Sequence, residues 1–149
     1  MRFEDETVFV TGGGSGIGRA TALRCAREGA TVVVADVEVE GGERTVADVE
    51  ATVDGGEAVF TELDVTDAAA VVDAVDAAAD VHGLDVVVNN AGVAQPNSPM
   101  EELPLEERDR VFEVNAMGVW NGCRAAIPHL KRRESGAIVN VASLAGVVG

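Results

Sequence analysis

Short runs of β-branched and other apolar residues alternate along the chain with longer segments of helical period. The short runs predict strands, and the most continuously apolar of them suit strands that are buried on both faces of a parallel sheet. The candidate strands span residues 7–11, 31–36, 58–63, 84–89 and 137–142. Alternation of strands with helices predicts right-handed βαβ units, and therefore an α/β fold with a doubly wound parallel sheet.

Three of the segments between the strands carry an apolar face at helical spacing. The first face consists of Val39, Val46, Val49 and Val53, and the second of Val71, Val72, Val75, Ala78 and Ala79. The third lies on a long helix that is predicted to begin near Leu105, and consists of Phe112, Ala116, Val119, Cys123, Ile127 and Leu130. The sequence shows no repeat, low-complexity tract or interdomain linker, so residues 1–149 are expected to form one domain.

The charge of the chain narrows the range of partners. Asp and Glu number 26 against 11 Lys and Arg, which gives a net charge of -15. A polyanion repels phosphate backbones and anionic lipid, so we expect neither nucleic acid nor a membrane as partner. The acidic N-terminal residues do not resemble a signal peptide, and Cys25 and Cys123 fit no metal spacing. These features favour a reduced, cytoplasmic protein.

The composition also suggests adaptation to high salt. Lys131 is the only lysine, and Val and Ala dominate the apolar residues. High net negative charge keeps a protein soluble at the cost of self-repulsion, which salt screens because the Debye length falls to about 3 Å at 1 M. We interpret the chain as halophilic, and the alternative is an ordinary acidic protein.

A glycine-rich segment, TGGGSGIG at positions 11–18, directly follows the first candidate strand. Gly12, Gly16 and Gly18 permit a sharp turn into a helix, a close approach of the backbone to a pyrophosphate, and close packing of helix on sheet. The helix N-terminus then offers free N–H groups and a partial positive charge to phosphates. The segment predicts a dinucleotide site, and the alternative is a glycine-rich turn that binds no ligand.

An acidic residue, Asp36, closes the second candidate strand. A carboxylate at this position accepts hydrogen bonds from the hydroxyls of an adenosine ribose and repels a 2′-phosphate. Neither Ser15 in the loop nor Val37 after the strand offers a base to neutralise such a phosphate. The sequence therefore predicts NAD as the cofactor, and the alternative is that Asp36 is only a turn residue.

Further groups of residues follow in a fixed order. They are LDV at positions 63–65, NNAG at positions 89–92, Asn115 in the long helix, and GAIVNVASLAG at positions 136–146, which contains Ser143. In this order and spacing, essentially the whole chain resembles the N-terminal part of a short-chain dehydrogenase/reductase. Asn115 is unusual in a helix interior and suggests a local kink with a bound water, unless it simply faces solvent. Asn89 is expected to pin the strand edge.

The resemblance implies a Rossmann-type fold, hydride transfer between NAD and a small alcohol or carbonyl substrate, and a homo-oligomeric full-length form. It assigns catalytic roles to Ser143, which positions the substrate oxygen, and to Asn115, which helps to relay protons. The alternative for Ser143 is a small turn residue. It assigns cofactor binding to Gly12, Ser15, Gly16, Ile17 and Gly18 at the pyrophosphate, Asp36 at the ribose, Asp64 and Val65 at the adenine, and Asn90, Ala91 and Gly92 on the cofactor floor. It implies no metal.

The catalytic chemistry of this family also needs a Tyr-x-x-x-Lys pair on the helix after the serine. The sequence contains no tyrosine, and Lys131 precedes Ser143. One interpretation is an N-terminal piece of an NAD-dependent oxidoreductase, an incomplete domain that lacks its C-terminal strands and is by itself inactive. The other is a non-catalytic nucleotide-binding or interaction module. The intact motif set favours the first.

Overall fold

A computed structural model describes residues 1–54, 56–133 and 136–143 of the protein. Its strands are β1 Thr7–Thr11, β2 Thr31–Asp36, β3 Glu57–Glu62, β4 Val86–Asn89 and β5 Ala137–Asn140. They pair in parallel in one sheet of order β3-β2-β1-β4-β5. The predicted bounds of β1 and β2 are confirmed, and those of the other strands differ by no more than two residues at either end.

The helices follow the strands as the sequence pattern predicts. They are α1 Gly16–Arg27, α2 Val39–Thr52, α3 Ala68–His82, α4 Leu105–Phe112 and α5 Gly118–Leu130, with a 3-10 turn at Met100–Glu102 and a π-helical segment at Glu113–Met117. Local sequence sets the ends of α3. The Asp67 carboxylate accepts hydrogen bonds from the N–H groups of Ala69 and Ala70, and Gly83 ends the helix with a φ of +79°. None of the described helices is long and apolar enough to span a membrane.

The sheet is covered on both faces, which confirms the doubly wound α/β fold. Alternate residues of the central strand β1 point to opposite sides, so that Val8 and Val10 belong to one core and Phe9 to the other. Residues of α1 and α2 complete the first core, including Ala22 and Val49. Residues of α3 and α5 complete the second. The inner strands β1, β2 and β4 are buried because both of their faces are packed, and this explains their nearly continuous apolar sequence.

The third predicted apolar face is wrong in part: Leu130 packs against the second core, but other members of the face are exposed. Phe112 is 64% exposed and Ile127 is 41% exposed, whereas the buried residues of α5 are Gly118, Asn121, Gly122, Ala125 and Ala126. The π-helical segment shifts the phase of the helix, so residues on one face before it lie on another face after it. Small residues then let α5 approach the sheet closely, since a Cβ at Gly122 would stand 2.0 Å from Oδ1 of Asn89.

The end of α1 carries a carboxylate whose ionisation supports the fold. Glu28 accepts hydrogen bonds from Arg2 at 3.1 Å and from Arg24 at 2.6 Å, and these two bonds lower the pKa of Glu28 to about 2. Because the folded pKa lies below the usual value, the stabilisation is complete above about pH 4.5 and is lost as the pH falls through about 2. We expect Glu28→Gln to lower the Tm near neutral pH.

Thermal unfolding followed by circular dichroism at several pH values tests this expectation. The difference in Tm between the Glu28→Gln variant and the unmodified chain should shrink as the pH falls from about 4.5 towards 2. A difference that stays constant over this range would contradict the assignment.

Candidate functional site

A cleft opens at the carboxyl ends of the strands, where the chain order reverses between β1 and β4. This is the place at which open α/β sheets bind their ligands. Its volume of about 350 Å³ suits a small-molecule site. The lining residues are Gly12, Ser15, Gly16, Ile17, Asp36, Val37, Leu63, Asp64, Val65, Asn90, Ala91, Gly92, Val93 and Val114. They include every cofactor residue named from the sequence except Gly18.

The glycine segment forms the turn between β1 and α1. Gly12 and Gly16 have φ values of +64° and +50°, a region that favours glycine. A Cβ at Gly16 would meet no atom within 4 Å, so this position faces open space in the cleft. Gly18 lies buried behind the loop, where a Cβ would stand 2.1 Å from the carbonyl oxygen of Gly12. Gly18 therefore shapes the loop from behind, while Gly12 and Gly16 line the cleft.

The N-terminus of α1 opens towards the cleft. The side chain of its N-cap residue, Ser15, makes no capping hydrogen bond. The first N–H groups of a helix have no acceptor within the helix, so the first turn of α1 offers donors to a ligand. Ser15, Gly16 and Ile17 all line the cleft at this end. The arrangement can bind an anion through backbone groups.

A buried threonine of α2 supports the glycine segment from below. The hydroxyl of Thr45 donates a hydrogen bond that is shared between the carbonyl oxygens of Gly13, at 3.0 Å, and Gly41, at 3.1 Å. Thr45 is fully buried, so the loop rests on α2. Thr45 could not be identified from the sequence, because a single polar residue inside a helical pattern gives no signal of what it contacts.

The carboxylate of Asp36 is oriented by two backbone groups. Its Oδ2 accepts a hydrogen bond from the N–H of Gly14 at 2.8 Å, and its Oδ1 accepts one from the N–H of Glu38 at 2.9 Å. Asp36 and Asp64 are the charged residues of the lining, and none of the described lining residues is basic. Arg19, just after the glycine segment, forms an ion pair with Asp48 of α2. The electrostatic character of this end of the cleft is negative.

Hydrogen bonds tie the ends of β1 and β4 together. The Oγ1 of Thr11 accepts from the N–H groups of Asn90 and Ala91, each at 3.0 Å. The side-chain amide of Asn90 donates to the carbonyl oxygens of Thr11, at 3.0 Å, and Gly12, at 3.1 Å. These bonds hold the floor of the cleft and the glycine segment as one unit. Thr11 is a second supporting residue that the sequence analysis did not single out.

The neighbouring Asn89 links the last two described strands and does not line the cleft. Its amide nitrogen donates to Oδ1 of Asn140, at the end of β5, at 2.8 Å. Its Oδ1 is buried against Gly122 of α5. The predicted strand-pinning role of Asn89 is confirmed by these contacts.

Asn115 lies in the π-helical segment, so the predicted irregularity of the helix is present. Its Oδ1 accepts from the N–H of Val93 at 2.8 Å, and its Nδ2 donates to the carbonyl oxygen of Val93 at 2.9 Å. The side chain therefore holds the segment after β4, in which Gly92 and Val93 line the cleft. π-Helical turns inside longer helices are frequent at functional sites.

Ser143 lies beyond β5 on the same edge of the sheet, and it is exposed. It is not among the described residues that line the cleft. The turn predicted at positions 144–146 lies outside the described residues. Among the described residues, no group of three or more His, Cys, Asp or Glu side chains is arranged to hold a metal ion.

The fold is of the Rossmann type that binds nucleotides. Its features are a parallel sheet, a glycine turn after β1, an acidic residue at the end of β2, and a cleft where the strand order reverses. Comparison with known families is consistent with this class. The sequence model of the family described as short chain dehydrogenase matches residues 6–149, and the chain belongs to this family.

Relatives extend well beyond the length of this chain. The chain is 40% identical to levodione reductase of Leifsonia aquatica, covering 99% of this chain and 56% of that protein. It is 42% identical to cyclopentanol dehydrogenase of Comamonas testosteroni, covering 99% of this chain and 58% of that protein. The crystal structure of levodione reductase matches with a TM-score of 0.95 at 40% identity, over 99% of this chain and 58% of that one. NAD⁺-bound xylitol dehydrogenase matches with a TM-score of 0.95 at 35% identity, over 100% of this chain and 57% of that one. The chain thus spans somewhat more than half the length of these relatives.

Proposed function

We propose that the protein is an NAD-dependent oxidoreductase that transfers hydride between the cofactor and a small alcohol or carbonyl substrate. Residues 1–149 form the Rossmann domain that binds the cofactor. The observation that carries the proposal is the composition of the cleft, where the glycine turn meets Asp36 and no described lining residue is basic. The names of the relatives, levodione reductase and cyclopentanol dehydrogenase, support the substrate class.

The pyrophosphate of the cofactor fits the glycine turn. The space at Gly16, where a Cβ would meet nothing, leaves room for phosphate oxygens beside the backbone. The N–H groups of the first turn of α1 and the positive end of its dipole stabilise the negative charge. This matters in a chain of net charge -15, because backbone donors bind an anion without basic side chains.

The adenosine half of the cofactor lies at the β2 end of the cleft. Asp36 accepts hydrogen bonds from the ribose hydroxyls, with its carboxylate already oriented by Gly14 and Glu38. Asp64 and Val65 border the adenine. The negative charge of Asp36 repels the 2′-phosphate of NADP, and none of the described lining residues is a base that could neutralise that phosphate. NAD therefore binds better than NADP.

The nicotinamide half lies towards β4, on the floor formed by Asn90, Ala91 and Gly92. The nicotinamide ring supplies the hydride chemistry when the cofactor is bound. Ser143 donates a hydrogen bond to the substrate oxygen and so orients the reacting carbon, and Asn115 contributes to proton relay while it holds the segment after β4. The pairing of Asn115 with Val93 fixes the backbone beside which substrate and cofactor meet.

Exchanging the charge at the ribose end is expected to reverse the cofactor preference. In the double variant Asp36→Ala, Val37→Arg, a cation replaces the carboxylate at a position that lines the cleft and is exposed. The ratio of the Kd for NADPH to the Kd for NADH should fall by about 10- to 100-fold, because a charged hydrogen bond replaces charge repulsion. Titration calorimetry with both reduced cofactors measures the ratio.

The matched control is Asp64→Asn, which removes a different negative charge from the same cleft. It should leave the ratio nearly unchanged, whereas a general charge effect would lower the ratio in both variants alike. An absolute gain in NADPH affinity in the double variant cannot come from damage to the loop. Equal binding of both cofactors by the unmodified chain would refute the preference for NAD, and binding of neither would refute the proposed function.

The proposal extends to the setting in which the protein works. Its composition supports a halophilic protein of the cytoplasm, with a small-molecule substrate and no nucleic-acid or membrane partner. The full-length form is proposed to be a homo-oligomer. The exposed apolar side chains of Phe112 and Trp120, each 64% exposed, are consistent with such an interface.

A further inference from the structure

Two side chains from one helical stretch hold the segment that follows β4. Asn115 pairs with both backbone groups of Val93. Arg110 of α4, which precedes Asn115 in the chain, donates a hydrogen bond from Nη2 to the carbonyl oxygen of Ala94 at 3.0 Å. Adjacent residues of the segment are thus fixed by separate side chains. Val93 lines the cleft, so the position of this segment sets the shape of the cleft wall.

The guanidinium of Arg110 is itself oriented by a carboxylate. Oε2 of Glu107 accepts from Nε of Arg110 at 3.1 Å and from Nη2 at 2.8 Å. The planar guanidinium is therefore held in one direction while Nη2 also reaches the Ala94 carbonyl. Glu107 is only partly exposed, which reduces the screening of the pair.

The neighbouring Arg108 provides a contrast within the same helix. Both its Nε and its Nη2 donate to Oδ1 of Asp109, the next residue along the chain. Arg108 and Arg110 have similar exposure, 53% and 44% for their side chains. The two arginines thus lie in the same helix with similar exposure. They differ in their partners, because Arg110 donates to the segment after β4 and Arg108 donates to Asp109.

The order of the strands places this wall relative to the proposed ligand. Asp36 follows β2, the glycine turn follows β1, and residues 92–94 follow β4, with β1 lying between the other two strands. A dinucleotide whose ribose lies at Asp36 and whose pyrophosphate lies at the glycine turn therefore reaches the wall with its other half. Resting on the proposed function, we infer that Arg110, oriented by Glu107, is a positioning residue for the nicotinamide half of the cofactor.

A comparison of two ligands tests this inference on the chain as it stands. NADH carries the nicotinamide half, and ADP retains the adenosine and the pyrophosphate but lacks both the second ribose and the nicotinamide ring. Arg110→Gln should weaken NADH binding by about 3- to 10-fold, because the released wall must be ordered when the nicotinamide half binds, and it should leave ADP binding unchanged. The fluorescence of bound NADH, which reports the surroundings of the nicotinamide ring, should shift towards that of free NADH.

Control variants separate positioning from folding. Arg108→Gln should change neither ligand, and Arg110→Lys should recover part of the NADH affinity because an ammonium can still donate to the Ala94 carbonyl. Glu107→Gln, which keeps Arg110, should weaken NADH less than Arg110→Gln does. Thermal midpoints show that each variant is folded.

The outcomes distinguish the two proposals. Equal loss of affinity for NADH and ADP in Arg110→Gln, no loss for NADH, or the same loss in Arg108→Gln would overturn the inference while leaving cofactor binding intact. Failure of the unmodified chain to bind either ligand would overturn the proposed function, and with it the inference.

Discussion

Replacing Gly18 with alanine is expected to destabilise the fold and abolish NAD(H) binding together. The new Cβ would stand 2.1 Å from the carbonyl oxygen of Gly12 and 2.4 Å from Nδ2 of Asn90. Relief requires moving the loop backbone and breaking the bonds that Asn90 makes to Thr11 and Gly12. Overpacking against backbone of this kind costs about 2–4 kcal/mol in the free energy of unfolding.

Gly16→Ala provides the matched comparison in the same turn. Its Cβ would face open space, so the cost is limited to the strain of an alanine at a φ of +50°, about 1 kcal/mol. The added methyl still occupies the place proposed for the pyrophosphate, and binding should be lost while the chain stays folded.

Urea unfolding and NADH titration of the two variants separate these effects. Gly18→Ala should lose stability and binding, and Gly16→Ala should lose binding with most of its stability kept. Retention of both properties in Gly18→Ala would show that the loop can move aside at little cost. Retention of NADH binding in Gly16→Ala would show that the pyrophosphate does not bind at the glycine turn.

The sequence allowed strands β1 and β2 to be predicted closely. The runs at 7–11 and 31–36 are nearly continuously apolar, and the first stops before a glycine while the second stops at an acid, so the apolar pattern and the turn signal mark the same boundary. The cleft was predictable for a related reason. In a parallel sheet the carboxyl ends of the strands meet at one edge, so residues that follow strands in sequence, such as Asp36 and Asn90, meet in space.

The packing of α5 could not be predicted from the period alone. A regular helix that includes Phe112 and Ile127 places both on an apolar stripe, and apolar stripes ordinarily face a core. A π-helical segment at Glu113–Met117 changes the phase. Asn115 indicates an irregularity in the helix, but the residue types do not specify an i to i+5 bond or the phase shift that it causes. Gly118 and Gly122 are buried in place of larger residues because α5 lies close to the residues of the sheet edge. That distance depends on the surface against which α5 packs, so the sequence of α5 alone does not reveal it.

The supporting residues of the site were equally hidden. Thr11, Thr45 and Arg110 act on backbone carbonyl or N–H groups, and the position of a backbone group depends on the fold rather than on residue type. The sequence could identify Asn115 as out of place in a helix. It could not reveal that the partner of Asn115 is the backbone of Val93.

Raising KCl from about 0.1 M to several molar is expected to raise the Tm of the chain by about 10 °C, the equivalent of some 3 kcal/mol for a domain of this size. Acids outnumber bases by 26 to 11, so pairing every base with one acid would still leave 15 acids. Clusters of exposed acids occur at Glu101, Glu102 and Glu106. Their repulsion acts over a Debye length of about 10 Å at 0.1 M, and over about 3 Å at 1 M.

The variant Glu101→Gln, Glu102→Gln, Glu106→Gln distinguishes screening from a general effect of cosolute. None of these three carboxylates takes part in a described ion pair. Glu106 lies in the first turn of α4, where its charge interacts favourably with the helix dipole by about 0.3–1 kcal/mol, so removing all three mainly relieves repulsion. The variant should melt higher than the unmodified chain in dilute buffer, and the two should converge in concentrated KCl. Sucrose, which favours the compact state without screening charge, should raise both midpoints by the same amount. A Tm that does not respond to KCl, or a variant that gains as much from KCl as the unmodified chain, would refute the halophilic interpretation, because the charge repulsion on which it rests would then be absent.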